Sequence, residues 1–221
     1  MQRVLVLRPE PGASATVERA RSRGIDANSV PLFEIEPIAW NAPDAAQFDG
    51  LLVTSANAIR TAGDRLQTLR GLPVYAVGGA TAEAAREAGF TIKAIGESNV
   101  DALLDSLETD LKLLHLCGED RRDAHVARQE ITPVVVYRSK PTAAPDLSSA
   151  RGAIALIHSP RAGRRFAELV KDRSQVAIAA ISRAAAEELA GGWKSLDIAD
   201  QPTDEALLAL AWRLCNNPHP K

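Results

Sequence analysis

Several apolar runs in this chain end on hydroxyls or glycines and then turn helical. Leu51-Leu52-Val53 leads into Thr54-Ser55 and Asn57, Ala155-Leu156-Ile157 leads into His158-Ser159 and Arg161, and Ile178–Ile181 leads into Ser182. Two further runs end in Gly78-Gly79-Ala80-Thr81 and in Gly118, and the N-terminal run Val4–Leu7 ends at Arg8. A hydroxyl at a helix start satisfies one orphan amide, while the remaining amides and the helix dipole favour an anion. Carboxylates and phosphates are the ligands such ends suit, with Arg8, Arg121 and Arg161 close by in sequence. One such hydroxyl alone is more often a cap than a ligand contact. Their recurrence on the same kind of strand end is what predicts a polar binding cleft.

Other chemistries lack their residues. There is no G-x-G-x-x-G, no G-x-x-x-x-G-K-[ST] and no G-x-S-x-G, so a nucleotide or an acyl-transfer serine is not implied. His115, His125, His158 and His219 have no ligand spacing, and Cys117 and Cys215 stand far apart, which predicts neither a metal site, a cofactor nor a disulfide framework. A net charge of −2 argues against a nucleic-acid face. No apolar run reaches the ~18 residues of a spanning helix, and the start "MQRVLVLRPEPG" has no signal-peptide pattern. The expectation is a soluble, cytoplasmic, monomeric protein with a small-molecule partner and no membrane contact.

The elements that would hold these ends are short apolar strands alternating with Ala-rich helices, an α/β pattern with parallel sheets. Expected helices include Gly12–Arg23, Ala56–Leu69, Ala80–Ala88, about Val100–Leu107 and about Asp204–Leu214. A shift of 104 residues superposes Leu52 on Leu156, Ser55 on Ser159, Glu83 on Glu187 and Ala102-Leu103-Leu104 on Ala206-Leu207-Leu208, without a gap. That is the mark of an internal repeat. "VLVLRPEPGA" pairs likewise with "LLHLCGEDRR", and "VPLFEIEPI" with "TPVVVYRSKP". The expected organisation is two similar parallel-sheet, flavodoxin-like domains. One combines residues 1–36 with 143–221 and the other is continuous over 40–135. A two-stranded linker, about 36–42 and 136–143, joins them, with a cleft between.

The set "LLVTSANAI", "YAVGGATAEAAREAG", "PVVVYRSKP", "LIHSPRAGRRF" and "AIAAISRAAAEEL", in this order, resembles the uroporphyrinogen-III synthase family over nearly the whole chain. The resemblance implies closure of the linear tetrapyrrole hydroxymethylbilane to uroporphyrinogen III, with inversion of the last pyrrole ring and loss of water. It implies no cofactor and no metal. The substrate's eight acetate and propionate carboxylates match the hydroxyl-rich helix starts. By resemblance Tyr137 is the candidate proton donor, while Thr81 matches the Gly-x-x-Thr threonine and Ser159 the Ser-Pro serine. The strand ends and the resemblance together make Arg8, Thr54, Ser55, Asn57, Gly79, Thr81, Gly118, His158, Ser159, Arg161 and Ser182 the expected substrate contacts. The second Gly-x-x-Thr-Ala turn departs from the pattern, reading Ser182-Arg183-Ala184-Ala185-Ala186. On residues alone, a non-catalytic module for an anionic small molecule and a degenerate paralogue of the family remain open.

Overall fold

A computed structural model describes residues 2–96, 99–120 and 128–216. The chain runs β1 (Val4–Val6), α1 (Gly12–Ser22), β2 (Ala27–Ser29), β3 (Phe33–Pro37), β4 (Gly50–Val53) and α2 (Ala56–Thr61). It continues with β5 (Val74–Val77), α3 (Gly79–Glu87), β6 (Ile92–Gly96), α4 (Val100–Asp105), β7 (Lys112–Gly118) and β8 (Glu130–Pro141). The last third is β9 (Ile154–Ile157), α5 (Pro160–Leu169), β10 (Ala177–Ala180), α6 (Arg183–Glu187), β11 (Ser195–Ile198) and α7 (Asp204–Asn216). The helix expected over Ala56–Leu69 stops at Thr61 and resumes as a 3₁₀ segment over Gly63–Leu69. Gly63, at φ +67°, takes the left-handed conformation that ends an α-helix.

Two compact units result, one of residues 1–34 and 141–221, the other of residues 35–140. In the split unit the strand order is β11-β10-β9-β1-β2, all parallel. Numbered along the chain from β1, this is the flavodoxin-like order 2-1-3-4-5. In the continuous unit the order is β3-β8-β7-β4-β5-β6, with β8 through β6 parallel. The stretches read as connections, β3 and β8, are strands of this sheet. Ile38 N–H donates to Val136 and Thr142 N–H to Leu32, so they run antiparallel.

The two sheets are one arrangement entered at different points. Val4 and Val6 face Ile154 and Leu156 across β1 and β9, as Leu113 and His115 face Gly50 and Leu52 across β7 and β4. The 104-residue shift maps β4 onto β9, and the quoted match of the N-terminus to residues 113–122 maps β1 onto β7. The continuous unit is thus the same five-strand sheet, begun at the equivalent of β9, with β3 added beside β8.

Burial explains why these strands are unbroken apolar runs. Leu51 and Val53 enter a core under α2 and α3, whereas Leu52 enters the core with α4 residues Leu103 and Leu104 on the opposite face. In β9, Ile154 and Leu156 pack with α1 and α7 while Ala155 and Ile157 pack with α5 and α6. A strand covered on both faces has no position left for a polar side chain, so its first hydroxyl marks where the sheet ends. Phe166, part of the resembling Ser-Pro motif, is wholly buried and stacks on Trp193 at 5.4 Å, a packing role.

Candidate functional site

In each sheet the chain leaves two neighbouring strands in opposite directions: β4 and β7 in the continuous unit, β1 and β9 in the split unit. The carboxyl edge at such a divergence is where open α/β sheets bind ligands. Most of the residues singled out by sequence lie there.

In the continuous unit β4 delivers Thr54 and Ser55, and β7 delivers Gly118. Ser55 is the N-cap of α2, accepting from Asn57 N–H at 3.2 Å. Thr54 Oγ1 lies 3.2 Å from Nε2 of the buried His115, tying the two strand ends together. On β8 the register slips next to Gly118: Cys117 faces Val135, but Gly118 faces Tyr137. The irregularity leaves Val136 in the core and brings the Tyr137 ring onto it as well. Bulges next to sites re-aim side chains in this way. Gly118 is the seat of the ring, since a Cβ there would lie 2.7 Å from Cζ and 2.9 Å from the phenolic oxygen.

The Tyr137 phenol is pushed above its ordinary value by burial; a hydrogen bond with Ser55 works against the rise, and Cys117 and Asp120 add to it. At neutral pH the hydroxyl therefore carries its proton. Gly79 and Ala80 lie in the first turn of α3, where amides have no intrahelical partner. Thr81, by contrast, is turned into the core.

The split unit repeats the caps. Ser159 accepts from Ala162 N–H and Ser182 from Ala185 N–H. Arg161 lies over the Phe33 ring at 4.4 Å. His158, in the position equivalent to Thr54, turns inward, with Nε2 2.9 Å from Asp204 Oδ1. Arg8, at the end of β1, sits 3.6 Å from the same oxygen. Asp204 and its partners Thr16 and Arg19 escaped the sequence reading. The signal was only Thr203-Asp204-Glu205 at a helix start, which reads as ordinary capping, and Thr203 does cap Ala206 N–H. Arg121, His125 and His219 lie outside the described residues. Among the described residues no group of three or more His, Cys, Asp or Glu side chains could hold a metal ion.

The His158–Asp204 pair makes stability depend on pH. Burial pushes the His158 ring down, and Arg8 adds to that, against the opposing hydrogen bond of Asp204. Burial raises the Asp204 carboxyl, but hydrogen bonds from His158, Arg19 and Thr16 outweigh it and hold the group well below the usual carboxylate range. Both shifts have one sign: the unfolded chain takes up protons first on acidification, so stability is lost as pH falls. His158 acts from its ordinary value near 6.5 downward and Asp204 only in stronger acid. Thermal unfolding should move to lower temperature between pH 7.5 and 5.5, with a slope of up to about 1.4 kcal/mol per pH unit. His158→Gln should flatten that dependence. A flat wild-type profile would show that His158 titrates as it does in the unfolded chain.

Comparison with known proteins covers most of the chain. The family described as uroporphyrinogen-III synthase HemD matches residues 14–209. A uroporphyrinogen-III synthase from Chlorobaculum parvum (strain DSM 263 / NCIMB 8327) is 34% identical over 102 residues, a stretch spanning 42% of this chain and 42% of that relative. The crystal structure of uroporphyrinogen-III synthetase from Helicobacter pylori 26695 aligns with a TM-score of 0.65 and 19% identity over 97% of this chain and all of that one. A mutant uroporphyrinogen III synthase from the extremely thermophilic bacterium Thermus thermophilus aligns at 0.56 with 18% identity, over 98% of this chain and 100% of that one. At these identities the structures speak for the fold alone. The family match itself reaches from α1 into α7 and takes in both units and every strand end described above except that of β1. By that match the chain belongs to the uroporphyrinogen-III synthase family.

Proposed function

We propose that this protein closes hydroxymethylbilane to uroporphyrinogen III, inverting the terminal pyrrole ring and releasing one water. The observation that carries the reading, beside family membership, is the phenol of Tyr137 seated on Gly118 and hydrogen-bonded to Ser55 at the divergence of β4 and β7. In the first step the bond from the hydroxymethyl carbon to its oxygen breaks with its electrons going to oxygen. Tyr137 gives that oxygen a proton, so water leaves and an azafulvene cation system remains. A positioned donor of this kind contributes about 10²–10⁴-fold. The substituted carbon of the terminal pyrrole then attacks the electrophilic methylene, forming a carbon–carbon bond and a spiro intermediate, which rearranges; the proton shed as the pyrrole re-forms restores the phenol.

Placement does the rest. Ser159 and Ser182 spend a lone pair on their helix amides and keep an O–H to donate, which suits a carboxylate acceptor. The first-turn amides of α3 at Gly79 and Ala80 offer the same. Arg8, Asn57 and Arg161 are the remaining proposed contacts, with Thr54 and His158 acting through the strand-end geometry they brace and Thr81 through the packing of α3. The reading includes a monomeric protein in the cytoplasm with no nucleic-acid partner, in keeping with a net charge of −2.

The test is an isomer assay. Purified protein supplied with freshly made hydroxymethylbilane should yield the III isomer in excess of the I isomer that forms by uncatalysed closure. Product that is only isomer I, at any protein concentration, would refute catalysis.

A further inference from the structure

The divergence of β1 and β9 in the split unit is occupied by five side chains brought from distant positions. Asp204, the first residue of α7, is the hub. Its Oδ1 accepts from Thr16 Oγ1 at 2.9 Å and lies 2.9 Å from His158 Nε2, and its Oδ2 accepts from Arg19 Nε at 3.0 Å and Nη2 at 2.7 Å. Arg8 Nη1 lies 3.4 Å from Thr16 Oγ1 and 3.6 Å from Asp204 Oδ1. Exposure increases outward through the cluster: 8% for the His158 side chain, 17% for Asp204 and 33% for Arg8. His158 is the innermost group, the carboxylate lies between, and the Arg8 guanidinium is nearer the surface.

Arg8 is also fixed from below. A Cβ on Gly12 would lie 2.7 Å from its Nε, 3.0 Å from Cζ and 3.1 Å from Nη2, so the guanidinium rests directly on the backbone that opens α1. Two amides of that helix end are engaged: Ala13 N–H donates to Pro9 O, and Ser14 N–H donates to Glu10 Oε2.

We propose that Asp204 is a positioning residue for Arg8, holding its guanidinium on Gly12 as a preformed fork for one side-chain carboxylate of the linear tetrapyrrole. The inference rests on the function proposed above for the identity of the ligand. An arginine whose rotamers are already restrained loses less freedom when it pairs with a carboxylate, and its planar fork matches that partner. Three cationic or protonatable side chains, Arg8, Arg19 and His158, converge on one carboxylate, which favours an incoming anion over a cation.

The experiment is a double-mutant cycle on steady-state kinetics with hydroxymethylbilane, using Arg8→Gln, Asp204→Asn and the pair, with thermal unfolding of each. Each single change should raise KM about tenfold or more, the scale of a charged hydrogen-bond pair, with kcat falling much less. The double variant should be no worse than the worse single one, because Asp204 acts through Arg8. Multiplicative losses, or a kcat loss without a KM change, would overturn the proposal. Gly12→Ala covers the case in which Asp204→Asn fails to fold. Alanine suits a helix start and leaves Asp204 untouched but dislodges the guanidinium, so KM should rise with the unfolding temperature held. An unchanged KM in that variant overturns the proposal too. Binding of uroporphyrin III, the oxidised octacarboxylate product, separates this idea from the catalytic one. Weaker, non-additive binding in the three variants supports it even if the wild type makes only isomer I. Equal binding by wild type and variants, or none by wild type, overturns it.

Discussion

Tyr137→Phe should lower kcat for uroporphyrinogen III formation by about 10²–10⁴-fold, the range for loss of a positioned general acid, while leaving the fold intact. Phenylalanine keeps the ring that packs on the core beside Val136 and removes only the hydroxyl. The burial that raises the Tyr137 phenol keeps it protonated through neutral pH, so the wild-type rate should stay level until the pH passes the ordinary tyrosine value of 10.0. Ser55→Ala provides the contrast. It takes away the hydroxyl that hydrogen-bonds Tyr137 and the cap of α2, about 1 kcal/mol of helix stability, but not the phenol itself. Its rate loss should be smaller than that of Tyr137→Phe. Single-turnover rates with isomer analysis decide the matter. Near-full turnover to the III isomer by Tyr137→Phe would make the residue a packing group and leave catalysis to placement of the substrate.

Gly118→Ala should be nearly as damaging although it adds one methyl group. The new Cβ would sit within 2.9 Å of the phenolic oxygen and 2.7 Å of Cζ, so the ring must move aside. A displacement of about 1 Å at a reacting group costs roughly 10²-fold. Gly50→Ala is the control, with a similar conflict: its Cβ would meet the Tyr75 ring at 2.6 Å. Gly50 opens β4 at the amino edge of the sheet, away from the strand ends that carry Thr54 and Gly118. That variant should lose stability and keep its turnover per folded molecule. Equal kcat for Gly118→Ala and wild type would show that the ring's seat does not matter to the chemistry.

The central strands and the repeat are legible in the residues alone, whereas β2 and β11, the partly exposed edge strands of the split sheet, are not apolar runs and leave no such mark. Runs such as Leu51–Val53 and Ala155–Ile157 are apolar at every position because both faces of each sheet are covered, and that demand is local enough to be read from composition and length. Serine caps are equally local: Ser55, Ser159 and Ser182 reach amides two or three residues on. The break at Gly63 was missed because glycine within a helical pattern signals a turn only once its φ is known.

Tertiary structure alone decided the partners. Tyr137 reaches Ser55 and rests on Gly118 only because β8 pairs with β7 and slips by one residue there, a register no local pattern encodes. Asp204 meets Thr16 and Arg19 from nearly the other end of the chain, because the split unit brings α7 against α1. The sequence puts His158 at a strand end like Thr54, yet the same backbone position turns it onto the half-buried carboxylate of Asp204. Side-chain length and a partner supplied by a distant helix made that difference, and neither is written in the residues beside it.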